Sequence, residues 1–263
     1  MSNFDTLTTR MPNGVNNCSP WQTMGASGTP DPTFAVQYES DFLQPTDVSN
    51  LTLTNVTGTG TFAATTGQNG LANLITATAG ATDRSVVGLA SLAFALVPGK
   101  ATFYKFAGKL DSILGTVEFG FGAFTGAAVT NGVTIKAVGG VLSLNVYVAG
   151  TLVSTTPFPT ACALVSGTPF EVGLMVDWQQ NVAGFFNPTT GGTANGASQV
   201  TANNVANGNQ PRGRVAAAYY ELNGALTGLT LPTAQMNPFF SLTNTTAVAR
   251  TLTADFMVAS LER

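Results

Sequence analysis

The chain has 263 residues, of which only 9% are charged and none is histidine, and its formal net charge is −3. An average soluble domain carries about 25% charged residues. The absence of histidine excludes Ser-His-Asp and Cys-His catalysis, histidine-ligated metals and an imidazole base. The 10 Lys+Arg form no run, which argues against a protein that coats a nucleic-acid duplex.

Residues 1–33 differ from the rest. They carry Pro12, Pro20, Pro30 and Pro32 and show neither a strand nor a helix period, so they read as an irregular N-terminal arm. A solvated tail rarely carries many large apolar groups, yet Phe4, Leu7, Met11, Trp21 and Met24 are spread through this one. The arm is therefore expected to dock on a surface, its own or a partner's, with Phe4, Leu7, Met11, Pro12, Trp21 and Met24 as contact residues. No basic region followed by an apolar core opens the sequence, and the longest apolar stretch, 86–97, is too short to cross a bilayer. The expectation is a soluble protein with no membrane contact.

From Phe34 the text turns to strands. Phe34, Val36 and Tyr38 alternate with polar residues, and the threonine-rich stretch 48–62 alternates Leu51 and Leu53 with Thr52 and Thr54. Stretches 71–81 and 86–97 fit a helical turn, a strand or a loop equally. Residues 101–110 and 116–124 form the clearest pair. In the second, Val117, Phe119 and Phe121 point one way and Glu118, Gly120 and Gly122 the other, which predicts one core face and one half-open face.

Residues 133–138 and 141–148 flank Gly139-Gly140 and predict a hairpin, and Ala149-Gly150 turns the chain into 151–158. Further strands are expected at 170–178, 182–186, 214–222 and 250–262. About a dozen strands at short spacing argue for an all-β antiparallel sandwich. The proposed division is an arm over 1–33 and a sandwich over 34–263, interrupted by a polar loop at 187–213.

Chemistry is scarce. Glu118 stands alone, without the second carboxylate that a glycosidase places across the scissile bond, and is expected to pair with a lysine. Backbone carbonyls with Asp41 or Asp255 leave a Ca²⁺ site open beside the plainer reading of turn-capping aspartates. Cys18 and Cys162 are too few for a zinc site, and both read as free thiols, with Cys162 a small core residue. The strand phenylalanines 103, 106, 119, 121, 124, 185, 186, 239 and 240 read as core, leaving Trp21 and Trp178 as candidate sugar platforms. No catalytic residue, metal or cofactor is expected, and the chain is not read as an enzyme.

Three runs resemble the central half of concanavalin A-like jelly rolls: FYKFAGKLDSILGTVEFGFG (103–122), GVTIKAVGGVLSLNVYVAGTLVSTT (132–156) and FEVGLMVDWQQNVAGFFN (170–187). Three others are similar to head decoration (cement) proteins of tailed bacteriophages: TRMPNGVNN (9–17), the F-x-x-x-Y-x-x-D-F start (34–42) and RTLTADFMVASLER (250–263). That resemblance implies a virion structural protein made in the bacterial host cytoplasm. It would sit on the outer capsid, commonly as a homo-trimer, and clamp major capsid protein subunits. The alternative is a carbohydrate-binding jelly-roll module of a phage tail or surface protein. Arg212 and Arg214, flanking Gly213, form the main local positive spot and suit an acidic partner. Arg212→Ala and Arg214→Ala are expected to weaken capsid attachment modestly, with the effect shrinking at high salt. Salt-independent, unchanged affinity in both variants would remove the pair from the contact surface.

Overall fold

A computed structural model describes residues 35–40, 42, 48–65, 71–76, 80, 82–89, 94–125, 128–158, 160, 162–176, 180–188, 220–222 and 230–262. They form 15 strands in two antiparallel sheets. In chain order these are β1 (Ala35–Ser40), β2 (Leu51–Thr57), β3 (Thr61–Ala64), β4 (Ala72–Ile75), β5 (Arg84–Leu89), β6 (Thr102–Leu110), β7 (Gly115–Thr125) and β8 (Ala128–Val138). Then come β9 (Val141–Val148), β10 (Thr151–Pro157), β11 (Pro169–Val176), β12 (Val182–Pro188), β13 (Tyr220–Leu222), β14 (Asn237–Asn244) and β15 (Thr251–Glu262).

One sheet has eight strands in the order β13-β12-β11-β6-β15-β4-β3, with β1 also paired to β15. The other has seven, in the order β10-β9-β8-β7-β14-β5-β2. The predicted hairpin forms as read, since Gly139 (φ 58°) and Gly140 (φ 83°) both take the left-handed conformation that a tight two-residue turn needs. Ala149 (φ 49°) and Gly150 (φ 81°) make the second such turn.

Two ambiguous stretches resolve as strands β4 and β5, and the threonine-rich stretch splits into β2 and β3. The sequence pattern does not predict β14. Its alternation is hidden because Phe239 and Phe240 lie on opposite faces of a strand inside the sheet, and both are fully buried.

The core is aromatic. Phe106 of the eight-stranded sheet lies 4.7 Å from Phe119 and 5.0 Å from Phe240 of the seven-stranded one, centroid to centroid, and Phe119 lies 5.7 Å from Phe170. Offset and edge-on rings at such spacings add about 0.5–1.5 kcal/mol per pair to the burial itself. Cys162 and Leu164, which precede the turn into β11, belong to this core.

Tyr104 is the exception in this apolar layer. It points from β6 into the core, and its hydroxyl donates to the Phe239 carbonyl across the sandwich at 2.8 Å. A hydrogen bond from the Gly120 backbone reaches the same oxygen. Tyr104→Phe keeps the ring but strands both backbone groups in the core, so it should cost about 1–3 kcal/mol in urea unfolding. An unchanged midpoint would show that the hydroxyl is dispensable.

Candidate functional site

The outward face of the seven-stranded sheet gathers the polar chemistry. On β7 the alternation puts Glu118, Gly120 and Gly122 on this face, as the sequence predicts. Register sets Ser241, Glu118, Lys136 and Ser143 in one row across β14, β7, β8 and β9. Arg84 of β5 reaches diagonally to Glu118, with Nη2 and Oε2 at 3.3 Å. Thr134 donates its hydroxyl to the other carboxylate oxygen at 2.8 Å. Glu118 therefore pairs with an arginine and not with the expected lysine. Lys136 stands opposite in register and is half-buried, but the planar guanidinium comes in from two strands away.

Around Gly122 this face is closed, contrary to the half-open reading, while Lys136, Ser143 and Tyr147 on β8 and β9 stay half-buried. A Cβ at Gly122 would sit 2.7 Å from the Phe239 ring, so only glycine leaves room for that ring to lie on the sheet. Phe124 packs edge-on against Phe239 at 4.6 Å, and the Arg84 guanidinium covers Phe124 at 5.7 Å. Tyr147 joins this cluster and hydrogen-bonds Glu118. Beside it, Thr155 donates to Asn145 Oδ1 at 2.7 Å. Phe124 and Phe239 are thus an outer layer and not part of the central core.

The eight-stranded sheet holds a second buried ion pair on its own outward face. Lys105 Nζ lies 3.5 Å from Glu171 Oε2 and 4.8 Å from the Phe256 ring centroid. Phe185 also faces outward there, in line with Gly173 of β11, so it too lies outside the central core.

A third feature sits at the end of the sandwich. Leu114, Val138, Val141, Val165 and Val248 are each between 51% and 59% exposed. Their turns meet at one end. Val138 pairs with Val141, Val141 bridges to Ala163, Ile113 N–H donates to Ser166 Oγ, and Thr245 donates to the Leu114 carbonyl. The sequence did carry a signal for this patch, namely aliphatic residues placed in turns, where polar ones are the rule.

The contact residues expected from sequence, Phe4, Leu7, Met11, Pro12, Trp21, Met24, Arg212 and Arg214, lie outside the described residues, as do Asp41, Trp178 and the loop from 189 to 213. Asp255 is exposed at the β15 bulge. Among the described residues no three His, Cys, Asp or Glu side chains gather as metal ligands, and no helix is long and apolar enough to cross a membrane. Cys162 is buried, and burial pushes its thiol up to about 11, so it stays protonated at neutral pH.

No family model and no curated protein matches the chain. Solved structures do. A protein of unknown function from Shewanella oneidensis MR-1 aligns with a TM-score of 0.59 at 12% identity, over 100% of this chain and 95% of that one. Arcelin-5, a lectin-like defense protein from Phaseolus vulgaris, aligns at 0.54 and 10% identity, over 88% and 100%. Lectin I from Ulex europaeus, solved with the methyl glycoside of α-L-fucose, aligns at 0.52 and 7% identity, over 86% and 98%. The fold is a lectin-like jelly-roll sandwich. At these identities the likeness extends to the fold alone.

Tyr147 provides a pH test of the outward face of the seven-stranded sheet. Burial first, then the neighbouring Glu118 charge, pushes its phenol from 10.0 up to about 12, with Arg84 opposing. Between those values the unfolded chain has lost a proton that the folded chain keeps, so stability falls as pH rises through the window. Tyr147→Phe should remove that part of the fall, as read by urea unfolding below and within the window. A phenolate absorbance titrating at the ordinary value would show Tyr147 to be open to solvent.

Proposed function

We propose that this protein works by surface contact and not by chemistry. In this reading it is a virion structural protein that decorates the outer capsid of a tailed phage by binding major capsid protein subunits, as a homo-oligomer such as a trimer, after synthesis in the host cytoplasm. The observation that carries the reading is the end patch of Leu114, Val138, Val141, Val165 and Val248. Aliphatic side chains more than half exposed and gathered from four turns are what a protein partner covers. The rest of the chain supports contact work in the same way. Its few ionic groups include two ion pairs already buried against its own sheets, and many copies packed side by side repel little at low charge.

A second reading, a carbohydrate-binding module of a phage tail or surface protein, is favoured by one observation. Tyr147 lies beside Asn145 on the outward face of the seven-stranded sheet, with Ser143 and Lys136 half-buried nearby. An aromatic ring next to an amide is the usual platform for a sugar.

Leu114→Asp and Val165→Asp should leave the sandwich folded, because both side chains are exposed. Each should weaken capsid attachment by about 2 kcal/mol or more, roughly thirtyfold. Mass spectrometry of purified virions is the direct check, and absence of the protein from the particle would sink the capsid reading. Glycan-array binding that Tyr147→Ala abolishes would install the second reading in its place.

A further inference from the structure

Asp83 stands just before β5 and is buried, with 7% of its surface exposed. Its carboxylate oxygen Oδ2 is shut off from solvent and meets no hydrogen-bond donor. The buried carboxylates of Glu118 and Glu171 are held by Arg84 and Lys105. Asp83 has no such ion pair among the described residues. Arg84, next in sequence, turns to Glu118, and Arg250 Nη2 donates to Thr246 Oγ1. Burying a charged carboxylate without a partner costs several kcal/mol, which is why buried charges in native folds are paired or coordinate a metal.

The backbone around this carboxylate is shaped for close approach. Gly58 takes φ 74° in the turn between β2 and β3, and a Cβ there would collide with the carboxylate. A Cβ at Gly80 would sit 2.6 Å from Oδ1. Glycine at both positions brings bare main chain, and no side chain, up to the acid. The Gly80 carbonyl accepts from the Asp83 N–H and from Asn244 Nδ2, both at 3.4 Å. Those are long bonds, beyond the usual limit of about 3.2 Å, and they leave the oxygen under-used. Asn244, at the end of β14, fixes the arrangement. Its N–H donates to the Asp83 carbonyl at 2.8 Å, and its Oδ1 accepts from Thr76, just past β4. Elements of both sheets therefore meet at this carboxylate.

We propose that Asp83 and the Gly80 carbonyl bind a Ca²⁺ ion at this end of the sandwich, with Asn244 as a positioning residue. One carboxylate, one neutral carbonyl and water in the remaining places form a hard, all-oxygen set. Ca²⁺ accepts such a set in flexible geometry, at roughly 2.3–2.6 Å, whereas Mg²⁺ demands a near-ideal octahedron. Softer metals want imidazole or thiolate, and the chain has no histidine. A single carboxylate makes a weak site, with Kd on the order of 10⁻⁴–10⁻³ M. The sequence left Asp41 or Asp255 open for such a role. The structure points instead to Asp83, because burial and a missing donor are not visible in a local pattern. The ion would also brace the 245–249 turn, whose ends are tied to the site through Asn244 and through the Arg250 N–H, which donates to Thr76 Oγ1 at 3.0 Å.

The test uses the isolated full-length chain, stripped with a chelator, so it stands or falls separately from the capsid reading. Calorimetric titration with CaCl₂ should show uptake of a single ion per chain. About 10 mM Ca²⁺ should raise Tm by about 2–4 °C over NaCl of equal ionic strength. Asp83→Asn keeps the shape and removes the charge. It should lose the Ca²⁺ shift, and in chelator it should melt no lower than the natural chain, because the unpaired charge is gone. Asp41→Asn and Asp255→Asn should keep the shift. Gly80→Ala, whose Cβ crowds Oδ1, should weaken Ca²⁺ binding about tenfold or more, a readout that does not depend on how Asp83→Asn folds. No uptake by the natural chain, a shift that NaCl reproduces, or a shift that Asp83→Asn retains would each overturn the proposal.

Discussion

Tyr104 rises from β6, crosses the core and ends on the backbone of the opposite sheet, between Phe239 of β14 and Gly120 of β7. Those two residues are partners in the ladder, so the hydroxyl serves both strands at one point. Gly120 meets it with φ 136°, a conformation side chains rarely adopt, and a Cβ there would press on the Val133 carbonyl. The aromatic core alone is tolerant, since rings of similar size repack at modest cost. A buried hydroxyl with two backbone partners tolerates no slip, because moving either sheet by one residue leaves polar groups unpaired in the core. The relation of the two sheets depends on this contact more than on any ion pair.

Once the sheets are set, the outward faces follow. Glycine at 122 lets the Phe239 ring lie down, Phe124 stacks on it, and Arg84 and Tyr147 close over Glu118. Charges handled in this way add little net stability, since desolvation offsets most of the attraction. They do pin strands two positions apart in the sheet, as Arg84 of β5 does with Glu118 of β7. At one end of the sandwich, by contrast, aliphatic side chains stand exposed in the turns.

Much of this was legible in the sequence, and the failures have physical causes. The Gly139-Gly140 hairpin and the β7 alternation are local, set by backbone freedom and a period of two. Strand β14 is not local in that sense. Phe239 and Phe240 are both buried, one under Phe124 and one under Phe106, and a strand buried on both faces loses its alternation. Glu118 likewise has a lysine opposite it in register, yet its partner Arg84 is 34 residues distant along the chain.

The sequence by itself determined that this chain is an antiparallel all-β protein with an apolar interior and almost no titratable chemistry. Composition and strand period are properties of each segment taken alone, so they survive without knowledge of neighbours. Only the tertiary structure decided which face of each strand is covered, that Glu118 and Glu171 are held by Arg84 and Lys105, and that five aliphatic residues from four turns form one surface. Those are facts about strands brought together from distant parts of the chain. Burial and pairing energies depend on what lies within a few ångströms, and sequence spacing does not report that distance.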